Sequence, residues 1–251
     1  MNGAASRRRA SLVWPSLVAA AAFIALLGLG IWQIERKAWK EGLIDALEQR
    51  LVAEPAPLPS PAQWASLDQD RDEFRRVAFS AVVAADEALV YTTGSAFRPD
   101  ITGVGYWVFA PATLAGGATV VVNRGFVPSG QQESSTHAPR AGTLTLTGVL
   151  RWPEPRSFFA PREDDAARNH NLWFVRDQIA IAAGKRWGPV APFYVELETP
   201  TGDSALPRAG RLAPNLRNDH LQYAITWFAL AAVVAIMFAF WLRSRHRVLP
   251  A

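Results

Sequence analysis

Among residues able to hold a metal or move a proton near neutral pH, the chain has four histidines and no cysteine. The missing cysteine excludes disulfides, zinc–thiolate sites, iron–sulfur clusters, thiol nucleophiles and thioether attachment of haem. With only two methionines as well, the soft ligands that copper(I) needs are scarce. His137 and His170 fall in polar segments whose neighbours point to solvent, and His246 stands among terminal arginines. The adjacent carboxylates Asp164 and Asp165 read as a solvated charge pair in a loop. There is no glycine-rich phosphate loop, G-x-S-x-G elbow or H-E-x-x-H pair. Scattered serines and aspartates do not assemble a triad by spacing alone. No residue is assigned to catalysis.

His220 differs because of where it stands. It lies in Asn218-Asp219-His220-Leu221-Gln222-Tyr223, immediately before a long apolar run. A coordinating side chain at the edge of a bilayer is a functional candidate. Neutral imidazole is also a common axial ligand of haem iron. The plainer alternative is a histidine that caps and hydrates a helix end. Tyr223 and Trp227 are four residues apart and would share a helix face. Trp32 and Gln33 lie at a comparable depth in an earlier apolar run, so the two helix ends are expected to frame a small aromatic pocket. Val120–Pro128 (VVVNRGFVP) is the other notable stretch. Its β-branched start reads as a buried strand, and Asn123-Arg124-Gly125 implies a bend or bulge. Arg124 so close to a buried strand needs a carboxylate partner, either within the fold or on a ligand.

The elements that must position these residues are visible in the charge pattern. The 251 residues carry a net charge of +4, but Arg7, Arg8 and Arg9 and then Arg243, Arg245 and Arg247 supply the whole excess. All 22 acidic residues lie between the two tails. A nucleic-acid binder would gather its basic side chains on one face of a folded domain, so that class is set aside. Each tail adjoins an uncharged run, Ala10–Ile34 and Leu221–Leu242. About 20 apolar residues at 1.5 Å each span a hydrocarbon core. Pro15 is expected in the first helical turn, where a missing N–H costs little. Positive flanks stay on the cytoplasmic side, so both termini are expected there. The first run is too long for an ordinary cleaved signal. Three lysines against many arginines fit a GC-rich bacterial genome and a bacterial inner membrane.

Between the runs, Glu35–Leu51 reads as a helix extending the first membrane segment, and Glu54–Pro61 breaks it. Strands are expected at Phe74–Val83, Ala88–Thr93, Gly105–Ala110, Ala118–Val122, Leu144–Arg151 and Phe193–Glu198. Gly116-Gly117 marks a tight hairpin turn, and Val175–Lys185 a short helix. The expected fold is an α+β membrane protein with two transmembrane helices flanking a mainly antiparallel β extracytoplasmic domain. Its divisions are a basic tail (1–10), a first membrane helix (11–34), an exported domain (35–219), a second membrane helix (220–242) and a second tail (243–251).

With these residues in order, the sequence resembles the Surfeit locus protein 1 family. The resemblance runs through Gly30-Ile31-Trp32-Gln33 with Arg36 and Trp39-Lys40, then Phe74-Arg75-Arg76-Val77, then Val122–Pro128. It continues through Gly148-Val149-Leu150-Arg151 with Pro153, and ends in Asn218–Phe228. Two positions depart from the family's pattern. Asp219 stands where a second asparagine is usual, and Phe126 where tryptophan is common. The resemblance implies a non-enzymatic assembly factor of haem–copper cytochrome oxidase that binds haem a and aids its insertion. His220 would then be the axial ligand to haem iron, with Trp32, Tyr223 and Trp227 as an apolar wall and Arg124 or Arg36 as propionate contacts. Its implied partners are the oxidase catalytic subunit, a haem a synthase and membrane lipid. The alternative is an interaction scaffold that stabilises a nascent oxidase subunit and binds no cofactor.

Overall fold

A computed structural model describes residues 3–133, 137–156, 161, 171–214 and 218–247, with 3–12 and 246–247 described by backbone alone. His170, Asp164 and Asp165 lie outside the described residues, as does the side chain of His246. In chain order the elements are α1 (Gly3–Val52), β1 (Ala56–Pro57), a 3-10 turn (Pro61–Ser66), α2 (Gln69–Asp72), β2 (Arg76–Val83), β3 (Ala88–Gly94) and β4 (Thr102–Leu114). They continue with β5 (Thr119–Pro128), β6 (Thr143–Arg151), β7 (Leu172–Trp173), α3 (Gln178–Lys185), β8 (Val190–Leu197) and α4 (His220–Arg247). Two compact units result, one of Met1–Asp45 with Arg217–Ala251, the other of Ala46–Leu216.

The first unit pairs α4 with the earlier part of α1. Val13–Val52 and His220–Arg245 are each long and apolar enough to cross a membrane. Pro15 lies inside α1 rather than in its first turn. The Ala- and Arg-rich segment before it is itself helical, as expected of strong helix formers, so the helix starts at Gly3. Small residues let the two helices meet. A Cβ on Gly30 would lie 2.5 Å from the Phe228 ring, and Ala224 and Ala231 are fully buried. Close backbone approach through Gly and Ala is how helices associate where no hydrophobic force separates protein from lipid.

The second unit is a mixed, mostly antiparallel sheet. Its strand order is β1-β2-β6-β8-β5-β4-β3-β7, and a further β2–β4 pairing (Ala81↔Leu114 to Val83↔Ala112) closes the ring β2–β6–β8–β5–β4. The β5–β8 pairing inside this ring is parallel, as are the edge pairings β1–β2 and β3–β7. Alternate residues fill the ring: Val77 and Ala81, Ala110 and Ala112, Val120 and Val122, Leu146 and Leu150, Phe193 and Val195. Trp64 and Trp152 pack against Phe193. The opposite side chains, Phe109, Val121 and Tyr194, form a second core with Trp107, Trp173 and Ile181. Strands β5 and β8 are therefore buried on both faces, which explains why Val120–Val122 is continuously apolar rather than alternating.

The expected strands all appear, with shifted ends. Strand β4 is about twice the length anticipated, extending from Thr102 ahead of Gly105 and on to Leu114 beyond Ala110. A Cβ on Gly105 would lie 2.4 Å from the Val127 carbonyl oxygen, so this position demands glycine for close strand approach. The Gly116-Gly117 turn closes the β4–β5 hairpin, with the Leu114 N–H donating to the Ala118 carbonyl at 2.9 Å and Gly117 at φ +82°. Helix α3 starts later than predicted because Asp177 caps it, accepting the N–H groups of Ile179 and Ala180 at 3.0 Å each.

Candidate functional site

The site in the first unit starts from one polar contact between two apolar helices. His220 is the first residue of α4, and Gln33 lies buried on the α1 face that also carries Gly30. The His220 Nδ1 and Gln33 Oε1 are 2.7 Å apart. A carbonyl oxygen only accepts, so Nδ1–H is the donor in this pair. In a neutral ring with its proton on Nδ1, the lone pair lies on Nε2. That is the arrangement in which a histidine binds a metal while a second group fixes its tautomer.

The aromatic residues expected around His220 divide into two sets. On α4, Trp227 is half-buried on the side of Ala224 and Ala231, and Tyr223, one turn earlier, is 55% exposed beside it. On α1, Trp32 follows directly before Gln33 and is therefore turned about 100° around the helix. It is 52% exposed and does not share the face of His220. Arg36 is exposed one turn beyond Gln33, its guanidinium 3.8 Å above the ring of Trp39. Asn218 was not singled out by its sequence position. Its side-chain nitrogen and oxygen are both shielded from solvent and without a hydrogen-bond partner, two residues before His220.

Arg124 belongs to the second unit and is wholly buried. The β4–β5 register steps from Trp107↔Phe126 to Phe109↔Asn123, so Arg124 and Gly125 together oppose Val108. This is the predicted bulge, with Gly125 at φ +126° and its N–H donating to Asn123 Oδ1 at 3.1 Å. The bulge turns Arg124 into the fold. Its Nε donates to Thr201 Oγ1 at 2.8 Å, its Nη1 to Glu87 Oε2 at 3.2 Å, and its Nη2 to the His137 carbonyl. Of the two partners open to it, an internal carboxylate or a ligand, the internal one is present. Arg124 has no exposed surface, and its guanidinium is engaged within the fold.

The expectation for His137 is corrected. The residue is buried, not solvated, and its Nδ1 lies 3.6 Å from Glu87 Oε2. Burial and then the Arg124 charge hold the His137 ring below its ordinary pKa, despite the facing Glu87. Sequence position concealed this because polar neighbours surround it in the chain, whereas the fold brings Arg124 and Glu87 to it. On the outer face of β8, Glu196 meets Arg151 at 3.4 Å and Arg176 at 3.9 Å. The neighbouring Tyr194 hydroxyl is unpartnered and is pushed up to about 12 by burial.

The SURF1 family model matches residues 20–232, a span that includes Gln33, Arg124 and His220. A SURF1-like protein of Monosiga brevicollis is 34% identical over 247 residues, covering 94% of this chain and 90% of that protein. Surfeit locus protein 1 of Rattus norvegicus is 32% identical over 237 residues, 89% of this chain and 73% of the relative. The Homo sapiens protein of the same name is 31% identical over 242 residues, 90% and 76% respectively. A matched region this long, holding both helix ends and the bulged strand, makes the chain a member of the SURF1 family.

Proposed function

We propose that this chain is a non-enzymatic assembly factor of a haem–copper cytochrome oxidase, carrying haem a as cargo and aiding its insertion into the catalytic subunit. The observation that carries this reading is the pairing of His220 Nδ1 with Gln33 Oε1 at 2.7 Å, which in the Nδ1–H tautomer would leave Nε2 to serve as the ligand atom. The donor set suits the group. The His220 imidazole would hold the iron, and the Asn218 amide beside it, without a hydrogen-bond partner among the described residues, would be a polar group for the cargo. Tyr223 and Trp227 provide an apolar wall on the same helix, and the exposed Arg36 is the cation for a propionate. Trp32, on another face of α1, acts in this reading as an interfacial anchor. In this reading both basic tails lie in the cytoplasm of a bacterium and the second unit outside its inner membrane, and the partners are lipid, the oxidase subunit and the haem a synthase that hands the cargo over.

The test is an absorption spectrum of the detergent-purified full chain, produced in cells that make haem a, beside His220→Ala. A reduced haem a band in the wild type, lost or shifted in the variant, is the expected result. A colourless wild type from cells shown to contain haem a overturns the reading and favours a scaffold that binds no cofactor. Equal haem and identical spectra in both proteins would sink His220 as the ligand.

A further inference from the structure

We infer that Gln33 is a positioning residue: from the first membrane helix it sets the tautomer and ring orientation of His220, so that Nε2 is presented as a lone-pair donor. The inference deepens the haem reading above, but its first test needs no haem. A neutral histidine carries its proton on either nitrogen, and the hydrogen bond made by one decides the state of the other. Here the pairing is between His220 Nδ1 and Gln33 Oε1 at 2.7 Å, with the Gln33 side chain buried between apolar helices. Water competes poorly for an amide in such a place, so the carbonyl is a persistent acceptor.

Three features of the chain make the contact directional rather than incidental. Gly30, one turn before Gln33, brings α1 against Phe228, and this close approach sets the spacing across which Gln33 reaches His220. Ala224, one turn after His220, is fully buried and keeps the α4 side of the contact thin. His220 is the first residue of α4, so its ring stands at the helix end, free of a preceding helical turn. Glutamine is also suited chemically. Its carbonyl accepts one N–H without adding charge to the site, and the tautomer it selects keeps the lone pair on Nε2. A carboxylate in its place would draw the ring toward imidazolate when metal is bound and strengthen the iron–nitrogen bond.

The first measurement is nitrogen NMR of the haem-free full chain in detergent, with histidine labelled at both ring nitrogens and His220→Gln used to assign the signal. The expected result is a His220 ring protonated at Nδ1 in the wild type and switched predominantly to Nε2–H in Gln33→Ala. A wild-type ring protonated at Nε2, or an unchanged tautomer in Gln33→Ala, overturns the inference whether or not haem binds. The second measurement uses haem a-loaded protein. Gln33→Ala should bind haem a roughly 10- to 100-fold more weakly, the usual effect of removing an outer partner of a ligating histidine. Its iron–histidine stretching frequency should fall, and that of Gln33→Glu should rise above wild type. Affinity within about twofold of wild type, with unmoved stretching frequencies in both variants, would refute the role of Gln33 while leaving His220 as ligand. A wild type that takes up no haem but shows the Nδ1–H tautomer refutes the haem reading and supports Gln33 as the residue that orients the ring.

Discussion

At the scale of single residues, burial and partners decided what side-chain type left open. Arg124 was legible as a cation beside a buried strand, but its partner Glu87 lies 37 positions away and no local pattern links them. The pair is fully enclosed, with Arg124 also bonded to Thr201 and the His137 carbonyl. Removing one member of such a pair strands a buried charge. Glu87→Ala should therefore destabilise the second unit by about 3–5 kcal/mol. Glu87→Ala combined with Arg124→Met should recover much of that loss, because no charge is then left uncompensated. Denaturant unfolding of the full chain in detergent, followed by tryptophan fluorescence, checks both. A double variant no more stable than the single would show that Thr201 and the His137 carbonyl, not the charge pair, hold the bulge. Trp32 and Gln33 teach the complementary lesson. They are neighbours at one depth in the sequence, yet only Gln33 meets α4, since one residue of helix turns a side chain by about 100°.

Among elements, the helix pair and the bulged strand were largely legible in advance. Two uncharged runs between basic tails specify helices of membrane length whatever they pack against. The face each presents was not legible, because both runs are apolar all round and carry little amphipathic signal. Gly30 resolves it: the Phe228 ring lies where α1 lacks a side chain. Gly30→Leu should overpack the contact at a cost of about 1–3 kcal/mol and part the helices. Phe228→Ala in the same chain should restore their approach by vacating the space. Distances between nitroxide labels on α1 and α4 test this, with lengthening in the single variant and return in the double. No change in Gly30→Leu would mean that ring rotation of Phe228 absorbs the added volume. In the second unit, β-branched runs marked the strands, but β4 runs past both ends of its expected span. Within it, Gly105 serves close approach to β5.

For the whole molecule, acid stability follows from groups the fold has enclosed. His137 is held below its ordinary value of 6.5 by burial and by Arg124. A depressed folded value means that the unfolded chain binds the proton more readily, so stability is complete above about pH 6.5 and is lost as pH falls through the lower folded value. Asp100 is depressed by its hydrogen bonds from Arg98, so its contribution is complete above about pH 4 and lost only at lower pH. Thermal melts between pH 8 and 5 should show a fall in Tm for the wild type that is flattened in His137→Gln. Equal slopes would assign the fall to other groups. The two membrane-length helices, the positions of the six longer strands, the hairpin and the bulge were determined by the sequence itself, because periodicity, β-branching, turn glycines and long uncharged runs act through neighbours along the chain. Closure of the five-strand ring, the enclosure of Arg124 with Glu87 and His137, and the meeting of Gln33 with His220 were decided only by the tertiary structure. Each depends on residues from 13 to 187 positions apart whose pairing is set by burial and hydrogen bonding in three dimensions, for which no local spacing is a signal.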